Sequence, residues 1–346
     1  MMITIEGSHG EGGGQIIRSS VALSLVTGVP VTVEKIRARR AKPGLRRQHL
    51  TAVRAAAQVG AATVEGAEIG SSRLVFQPHG IHGGTYFFRI GTAGSTTLVL
   101  QTVLPALLAA DKPSHVTLEG GTHNPLAPPF EFLDRCYLPL LRRLGHQVEV
   151  TLDRHGFFPA GGGRMTLTVE PGGAWRPLNL LERGRVVRRD VCALLSQLPD
   201  HIGERECSTA VRKLGFRGNE SRVRRITDSS GPGNVLLIEI ESEHVTEIVA
   251  GFGQRGVKAE RVATMAAREA RHYLDAGVPV GEHLADQLLL PLAIGATHGA
   301  GGSFRTLALS GHSTTHIELL EKLLDVNMTV AASAPDDVLV TVEPPS

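Results

Sequence analysis

A repeat dominates the pattern of this 346-residue chain. Three segments begin with a glycine-containing loop and continue into a run whose apolar side chains recur at helical spacing. They are residues 10–25, 91–108 and 281–294. Similar segments at long intervals indicate supersecondary units built on one plan, so the stretches that follow the three helices are expected to match as well.

Those stretches match element by element. After each glycine-led helix the residue pattern predicts a strand, a second helix and two further strands. The predicted ranges are 31–36, 48–59, 62–64 and 73–77 in the first unit, 115–118, 130–144, 147–152 and 164–169 in the second, and 304–309, 315–324, 327–332 and 338–342 in the third. We expect the helices to cover one face of each small sheet, which gives an α/β fold of the layered α+β type.

One stretch does not fit the repeat. Residues 182–275 begin with a charged run, contain the turn 228–234, and carry their own predicted strand and helix. This pattern favours a smaller α/β domain inserted before the third unit. The predicted large domain then comprises residues 1–181, with repeats one and two, and residues 276–346, with repeat three. A degenerate fourth repeat is the alternative.

Composition narrows the class of protein. Hydrophobic residues make up 42% of the chain and charged residues 20%, which predicts a folded core rather than disorder. Cys136, Cys192 and Cys207 form no CxxC pair, so neither a zinc knuckle nor a disulfide framework is indicated. The N-terminal residues lack a signal-peptide pattern, and no run of about 20 apolar residues could span a bilayer. We therefore expect a cytoplasmic protein with no membrane partner.

The loop before the first helix has the composition of a phosphate site. Residues 11–15 read Glu-Gly-Gly-Gly-Gln, and the following helix offers free backbone N–H groups and the positive end of its dipole. Glycines let a phosphate approach the backbone closely, and Glu11 could hold a divalent cation. The loop matches neither the Walker A pattern nor a well-placed G-x-G-x-x-G, so a plain helix-capping turn is the alternative.

A second candidate site is strongly basic. Residues 37–48 hold six cations, interrupted by Pro43 and Gly44, between a predicted strand and a predicted helix. Several guanidinium groups could therefore converge on phosphates. Because aromatic residues are absent, a terminal phosphate with a few backbone phosphates fits better than base stacking or sequence readout. A solvated basic loop is the alternative, and composition alone favours it.

Two histidines open the last predicted helix. His312 and His316 are four residues apart and so lie on the same helix face. Three interpretations remain open at this point. The pair could bind a metal, although no Glu follows His312 as in H-E-x-x-H. A histidine here could also be structural or capping, or it could be a covalent nucleophile whose neutral imidazole attacks phosphorus.

Two loops rich in proline and glycine lie between predicted elements. Residues 120–129 end in Pro128 and Pro129, which order the backbone in advance, so this loop could wall a ligand pocket. Residues 155–163 fall between two predicted strands. A hairpin loop with apolar anchors is the favoured interpretation there.

Together these segments closely resemble the RNA 3′-terminal phosphate cyclases. The matching stretches are GEGGGQIIRSS, IRARRAKPGLRRQHL, GTAGSTTLVLQTVLPAL, GGTHNPLAPP, RHGFFPAGGG, GPGN, VGEHLADQLLLP and HSTTHIELLEKLL, in this order from Gly10 to Leu324. The resemblance implies three helix-and-sheet repeats with a smaller α/β domain inserted before the third. It also implies ATP and Mg²⁺ or Mn²⁺ as cofactors, and an RNA with a 3′-phosphate end as partner.

The resemblance further implies a reaction in three steps. A histidine attacks the α-phosphorus of ATP, pyrophosphate leaves, and AMP stays on the imidazole. AMP then passes to the RNA 3′-phosphate. Finally the 2′-hydroxyl attacks the 3′-phosphorus, which forms a 2′,3′-cyclic phosphate and releases AMP. Adenylylation gives the phosphate monoester a good leaving group, and proximity supplies the hydroxyl.

Carried over by position, the resemblance places the nucleophile on His312, through Nε2. The family pattern has a threonine three residues after the nucleophile, here Thr315, and His316 is the competitor. Glu11 matches the acidic metal ligand. The remaining positions bind either the nucleotide or the ATP phosphates and the RNA end. The nucleotide group is Glu11, Gln101, Pro128, His283, Leu284, Ala285, Asp286 and Gln287, and the phosphate and RNA group is Arg18, Arg37, Arg40, Arg47 and Gln48.

Two alternative functions are retained. One is the branch of the same family that lacks the nucleophile and acts in ribosome assembly; the presence of His312, Glu11 and Asp286 favours the enzymatic branch. The other is an enolpyruvyl transferase, a class also built from helix-and-sheet repeats, which would need neither a nucleophilic histidine nor ATP. A homodimer is one assembly that the sequence allows.

Overall fold

The first repeat forms a four-stranded sheet with two helices in the computed structural model, which describes residues 2–345. Its elements are β1 Ile3–Glu6, α1 Gly14–Thr27, β2 Val31–Glu34, α2 Arg47–Val59, β3 Thr63–Glu65 and β4 Leu74–Gln77. Helix α1 ends at Gly28, whose φ of 71° is the left-handed conformation that glycine adopts most easily.

The second repeat has the same order of elements. They are β5 Thr85–Arg89, α3 Thr96–Leu108, β6 Ser114–Gly120, α4 Phe130–Phe132, a π-helical turn Leu133–Tyr137, α5 Leu138–Arg143, β7 Gln147–Arg154 and β8 Gly163–Glu170. The predicted helix 130–144 is therefore one helical stretch with a π turn in its middle. Pro139 follows that turn, and a proline lacks the N–H needed for a regular helical hydrogen bond, so the local register changes there.

A short strand, β9 Leu178–Leu180, precedes the inserted segment. The insertion contains β10 Val186–Ser196, α6 Asp200–Leu214, β11 Ser221–Ile226, β12 Gly233–Ser242, β13 Thr246–Phe252 and α7 Ala259–Ala276. It has its own sheet and its own cluster of buried apolar side chains. Its strand order is β11-β10-β12-β13, which differs from that of the repeats and favours an insertion over a fourth repeat.

The third repeat continues after the insertion. It consists of α8 Glu282–Thr297, β14 Gly302–Thr306, α9 Gly311–Leu323, β15 Asn327–Ala334 and β16 Asp337–Glu343. Its sheet takes β9 as a fourth strand, paired in parallel with β14. One strand from the region before the insertion thus completes the sheet after it. The division at 1–181, 182–275 and 276–346 stays a prediction.

The three repeats share one topology. Their strand orders are β1-β2-β4-β3, β5-β6-β8-β7 and β9-β14-β16-β15. In each sheet the first two strands are parallel and the other pairs antiparallel. The α/β class is confirmed, but the predicted unit lacked its first strand. These strands have only four, five and three residues, too few for a clear alternating pattern.

The three glycine-led helices occupy the centre of the molecule. Helices α1, α3 and α8 carry apolar residues on almost all sides, and most of their side chains are buried, as expected for helices inside a core. Helix α1 packs on α2, α3 and α9, and α8 packs on α9. The glycine-led ends of these helices therefore face a common region.

Candidate active site

A cavity of about 680 Å³ opens where the first turns of α1, α2, α3, α8 and α9 face one another. Five helix N-termini concentrate unpaired N–H groups and positive dipole ends, a setting that suits anions. The loop 124–129 and strand β13 add apolar walls. The lining residues are Gly13, Gly14, Gln15, Arg18, Arg37, Arg40, Gln48, His49, Ser95, Leu98, Asn124, Pro125, Leu126, Ala127, Pro128, Pro129, Phe132, Ile248, Ala250, Phe252, Glu269, His283, Asp286, Gln287 and His312.

His312 is exposed to this cavity from the first turn of α9. Ser310 caps the helix, because its hydroxyl accepts a hydrogen bond of 3.2 Å from the Ser313 N–H. The ring of His312 faces the glycine loop, with Cε1 3.9 Å from where a Cβ on Gly13 would lie. Among residues 2–345, no side chain or backbone group hydrogen-bonds the ring. Its nitrogens are therefore open to a ligand.

Glu11 lies beside the start of α9. A Cβ on Gly311 would come within 2.7 Å of Glu11 Oε1, which shows how closely the carboxylate approaches the helix. Arg40 donates to the Glu11 carbonyl oxygen at 2.6 Å and to Oε2 at 3.3 Å. The turn before Glu11 needs glycine, since Gly10 has a φ of 51° and a Cβ there would lie 2.1 Å from Thr315 Oγ1.

Asp286 connects the glycine loop to α9. Its Oδ1 accepts a 2.6 Å hydrogen bond from Gln15 Nε2 and lies 3.4 Å from Nδ1 of His316. Burial opposes ionisation of Asp286. The nearby ring of His316, the hydrogen bond from Gln15 and the charge of His312 outweigh it and lower the pKa of this carboxyl. A carboxylate is thus held beside both histidines.

His316 occupies a different position from His312. It is 5% exposed, and its Nε2 lies 3.0 Å from Ser19 Oγ. It lines a smaller cavity of about 40 Å³ at the junction of the three central helices. Ser19, Gln101 and Gln287 each lie six residues after the N-cap of their helix, so the repeat brings them together at this junction. Gln101 donates to the Gln287 side-chain oxygen.

Arg18 and His49 form the floor of the large cavity. Burial lowers the pKa of Arg18 to about 10 against the attraction of Asp286, so the guanidinium stays charged at neutral pH. Burial, with the charges of Arg18, Arg37 and Arg46, lowers the pKa of His49 to about 3. His49 is therefore neutral, and its Nδ1 accepts a 3.2 Å hydrogen bond from the Arg46 N–H.

The residues of α2 and the preceding loop that were predicted to bind phosphates or RNA divide into three groups. Arg37 and Arg40 line the cavity, and Arg37 also ties its own loop by donating to the carbonyl oxygen of Lys42 at 2.7 Å. Gln48 lines the cavity and accepts a 2.7 Å hydrogen bond from the Ser95 N–H, which links α2 to the start of α3. Arg47 is exposed at the start of α2, outside the cavity lining.

The residues of α8 that were predicted to bind the nucleotide fall into two groups, one at the cavity and one in the core. His283, Asp286 and Gln287 line the large cavity, and Pro128 faces it from the loop 124–129. His283 Nε2 lies 3.7 Å from a carboxylate oxygen of Glu269 on α7. Two neighbours of His283 are fully buried in the main core. They are Leu284 and Ala285.

Several lining residues did not emerge from the sequence. His49 directly follows Gln48 in the stretch IRARRAKPGLRRQHL, and that position beside a predicted binding residue could have indicated it. Ile248, Ala250, Phe252 and Glu269 belong to the inserted segment, whose pattern carries no sign that it folds over the cavity.

Residues 2–345 contain neither a metal-binding cluster nor a helix able to span a membrane. No group of three or more His, Cys, Asp or Glu side chains is arranged to hold a metal ion. Glu11, beside the cavity, is therefore not part of such a group. No helix in this part of the chain is long and apolar enough to cross a bilayer.

One solved structure aligns with most of the chain but at a low level of similarity. It is an EPSP synthase from Acinetobacter baumannii, with a TM-score of 0.31 and 12% sequence identity over 94% of this chain and 62% of that one. A TM-score this low supports no conclusion about fold or substrate.

Comparisons of sequence find much closer similarity than this structural alignment. The family model described as RNA 3′-terminal phosphate cyclase matches residues 9–330. Proteins named RNA 3′-terminal phosphate cyclase are similar along more than nine tenths of their length. The one from Koribacter versatilis is 49% identical over 95% of this chain and 92% of its own. That from Ectopseudomonas mendocina is 51% identical over 95% and 94%, and that from Salmonella enteritidis is 49% identical over 96% of both chains. The chain therefore belongs to the RNA 3′-terminal phosphate cyclase family.

Proposed function

We propose that this chain is an ATP-dependent enzyme that converts the 3′-phosphate end of an RNA into a 2′,3′-cyclic phosphate. Relatives at 49–51% identity bear the name of that activity. The observation that carries the proposal is His312, an exposed imidazole at a cavity formed by five helix N-termini. Such a cavity suits a substrate with several phosphate groups.

His312, rather than His316, is proposed as the nucleophile. Its ring nitrogens have no partner within residues 2–345, whereas His316 is buried and its Nε2 is engaged by Ser19. A nucleophilic imidazole needs an accessible lone pair, and His312 meets that need. A nucleophilic histidine is expected to have a neighbour that hydrogen-bonds its second ring nitrogen. No such neighbour lies within residues 2–345, so we expect that hydrogen bond to form when the substrate binds.

The first step forms a bond between Nε2 of His312 and the α-phosphorus of ATP. The bond from that phosphorus to the bridging oxygen breaks, pyrophosphate leaves with the electron pair, and AMP remains on the imidazole. Negative charge accumulates on the leaving group and the phosphorus oxygens. Arg18 and Arg40 line the cavity and would stabilise that charge, together with the free N–H groups of the glycine loop.

The second and third steps use the RNA end. An oxygen of the 3′-phosphate attacks the α-phosphorus of the histidine-bound AMP, the phosphorus–nitrogen bond breaks, and an RNA-(3′)pp(5′)A is formed. The 2′-hydroxyl then loses its proton and attacks the 3′-phosphorus, and AMP leaves as the cyclic phosphate closes. Three residues are proposed to bind the ATP phosphates or the RNA end: Gln48 and Arg37, which line the cavity, and Arg47, which lies outside its lining.

A divalent cation, Mg²⁺ or Mn²⁺, is proposed to bind at Glu11. One carboxylate without a cluster of acidic neighbours fits a cation held chiefly by substrate phosphates, which is the usual arrangement for Mg²⁺. When bound, such an ion supplies charge neutralisation at phosphate oxygens. Arg40 contacts the same carboxylate and would have to share or release it.

The nucleotide is proposed to lie between α8 and the apolar walls. His283, Asp286, Gln287 and Pro128 line the large cavity, and Gln101 reaches the adjoining small one. Leu284 and Ala285 could contribute only through their backbone, since their side chains lie in the core. The non-catalytic branch of the family is the alternative, and an open His312 beside Glu11 and Asp286 weighs against it. The domain division, the cytoplasmic location and a homodimer stay predictions.

The test is covalent labelling by α-³²P-ATP with Mg²⁺. Wild type, His312→Ala and His316→Ala are compared after denaturation. We expect acid-labile, alkali-stable label on wild type and on His316→Ala, and none on His312→Ala. Label lost only in His316→Ala would move the nucleophile to that residue. No label on any protein would favour the non-catalytic RNA-binding branch. Conversion of a 3′-phosphorylated RNA to a phosphatase-resistant end completes the assay.

A further inference from the structure

Three loops rich in glycine meet beside the cavity. They are residues 120–129, 155–163 and 228–234, the last of which belongs to the inserted segment. The approach is close: a Cβ on Gly233 would lie 2.0 Å from the Phe157 ring, and one on Gly162 would lie 2.4 Å from Ser230 Oγ. The second and third loops therefore interlock at positions where a larger residue does not fit.

A buried pair of side chains closes the first loop. Nε2 of His123 lies 2.8 Å from Oε2 of Glu131, and the two residues are 1% and 4% exposed. Burial favours the neutral acid, but the charge and hydrogen bond of His123 hold the pKa of Glu131 down to about 2. Thr122 Oγ1 lies 2.8 Å from the other ring nitrogen of His123 and accepts a hydrogen bond from the Gly156 N–H. The pair thus joins the two ends of the segment 124–130.

His155 extends this chain of contacts to the inserted segment. Its ring stacks on His123 with centroids 5.4 Å apart and an interplanar angle of 16°. Its Nδ1 lies 2.9 Å from Oδ1 of Asp228, in the turn before β12. His155 is 5% exposed, whereas the Asp228 side chain is 47% exposed. The contacts therefore run from a surface carboxylate of the insertion to the buried His123–Glu131 pair.

The two ends of this chain of contacts lead to two different walls of the cavity. Residues 124–129 form one wall. Strand β12, which starts at the 228–234 turn, pairs with β13, and β13 carries the wall residues Ile248, Ala250 and Phe252. A shift of the turn relative to His155 would change the spacing between the walls.

Leu126 marks the loop wall as a held conformation. It is fully exposed, and its φ of 65° is in the left-handed region, which is unfavourable for a residue with a Cβ. Backbone strain of this kind persists only where the surroundings enforce it, and it is common where a protein contacts a ligand. The pinned ends of the loop provide that constraint here.

We propose that His123, Glu131, His155 and Asp228 are positioning residues that fix the loop wall 124–129 at a set distance from the β13 wall of the inserted segment. None of the four touches the cavity itself, so they act through the residues between them. The consequence for ATP binding rests on the proposed function. The consequence for the spacing of the walls does not.

The spacing can be measured without any reaction. Nitroxide labels at Leu126→Cys and Val257→Cys report the distance between the loop and the insertion by pulsed electron paramagnetic resonance. The labels should attach only at these two positions, because the three native cysteines are buried. We expect Asp228→Ala to broaden or shift the distance distribution. Asp228→Asn keeps the acceptor oxygen and is expected to restore it. Asp153→Ala is the control. Asp153 of β7 also accepts a side-chain hydrogen bond, from Thr166 of the neighbouring strand β8, but makes no contact with the insertion through it. Asp228 is half-exposed, so its variants should fold, and thermal melts verify this.

The same variants test the link to substrate. Loss of one hydrogen bond predicts an increase of about two- to tenfold in the KM for ATP of Asp228→Ala, with the labelling rate at saturating ATP unchanged. Glu131→Gln, which keeps its shape but loses its charge, should shift KM in the same direction. Identical distance distributions in Asp228→Ala and Asp153→Ala would overturn the proposal. A changed distribution in a protein that takes no label from ATP would instead overturn the proposed function alone.

Discussion

His312 and His316 stand one helical turn apart in α9, yet their rings have different surroundings. His312 faces the large cavity, and His316 packs against Ser19 of α1. The residue pattern alone did not separate the two, and only the family resemblance, through Thr315, favoured His312. The distinction depends on which part of α9 contacts α1, and residues 297 positions apart make that contact.

This difference predicts stability losses of different size for the two histidine variants. His316→Ala should lower the free energy of unfolding by about 1–3 kcal/mol, because it leaves the buried Ser19 hydroxyl without its His316 partner and removes the imidazole beside Asp286. His312→Ala should change it by less than about 0.5 kcal/mol, since the ring is exposed and has no hydrogen bond among residues 2–345. Urea denaturation of the two variants checks this, and equal losses would contradict the assignment of roles.

Gly10 and Gly28 both have a positive φ, but only Gly10 is crowded by a neighbouring side chain. Gly10→Ala would place a Cβ 2.1 Å from Thr315 Oγ1, whereas Gly28→Ala, at a similar positive φ, would meet nothing within 4 Å. Gly28→Ala should therefore cost only the backbone penalty of about 1–2 kcal/mol. Gly10→Ala should cost more and also displace Glu11, reducing ATP labelling by at least about tenfold. Thermal melts and labelling of both variants provide the comparison, and equal behaviour would show that the loop yields freely.

At the scale of elements, the sequence predicted the glycine-led helices well, because their long apolar patterns are distinctive. It missed β1, β5 and β9, which have five residues at most and pair with strands far along the chain. It also placed a single helix over 130–144, where Pro139 follows a π turn. Short strands and register changes depend on tertiary partners, so a local pattern reports them poorly.

The start of α8 gives a prediction about pH. Glu247 of β13 is 3% exposed and accepts a 2.9 Å hydrogen bond from the Gly281 N–H, which caps α8. Burial raises the pKa of Glu247 to about 8, against the effect of that hydrogen bond. The unfolded chain releases this proton near pH 4.5. Between these values the folded state binds the extra proton, so stability falls as the pH rises.

Glu247→Gln should remove that part of the pH dependence. The amide keeps an acceptor oxygen for Gly281 and stays neutral at every pH. We expect the variant to melt at a higher temperature than wild type at about pH 8.5, with a much smaller difference at about pH 5. Melting curves at the two values measure this. A constant difference across the range would show that Glu247 ionises normally in the folded protein.

At the scale of the whole molecule, the site exists only when distant parts come together. The first turns of helices from all three repeats surround the cavity, and the inserted segment supplies a wall through β13. The motifs indicated which residues could bind phosphate, and the repeat indicated similar units. Neither indicated that Ser19, Gln101 and Gln287 meet at one junction or that the insertion covers the cavity. Those features follow from how the units pack, which no single segment encodes.

The distribution of charge over the molecular surface predicts how RNA binds. The net charge is only +2, yet Arg46 and Arg47 project from the start of α2 next to the cavity, and neither forms an ion pair within residues 2–345. If they bind RNA phosphates, the logarithm of KM for RNA should depend less steeply on the logarithm of salt concentration in Arg46→Gln and Arg47→Gln. With a single-stranded RNA, the slope should change by about 0.7 for each phosphate that is no longer neutralised. The KM for ATP should stay constant where these arginines bind the RNA end and not the ATP phosphates.

Arg205→Gln is the matched control for this measurement. It changes the net charge equally but removes an arginine paired with Glu260 in the insertion, so its slope should match wild type. An arginine that neutralises an RNA phosphate releases counterions, so removing it must change the slope. Equal slopes in wild type and all three variants would therefore show that neither Arg46 nor Arg47 binds an RNA phosphate.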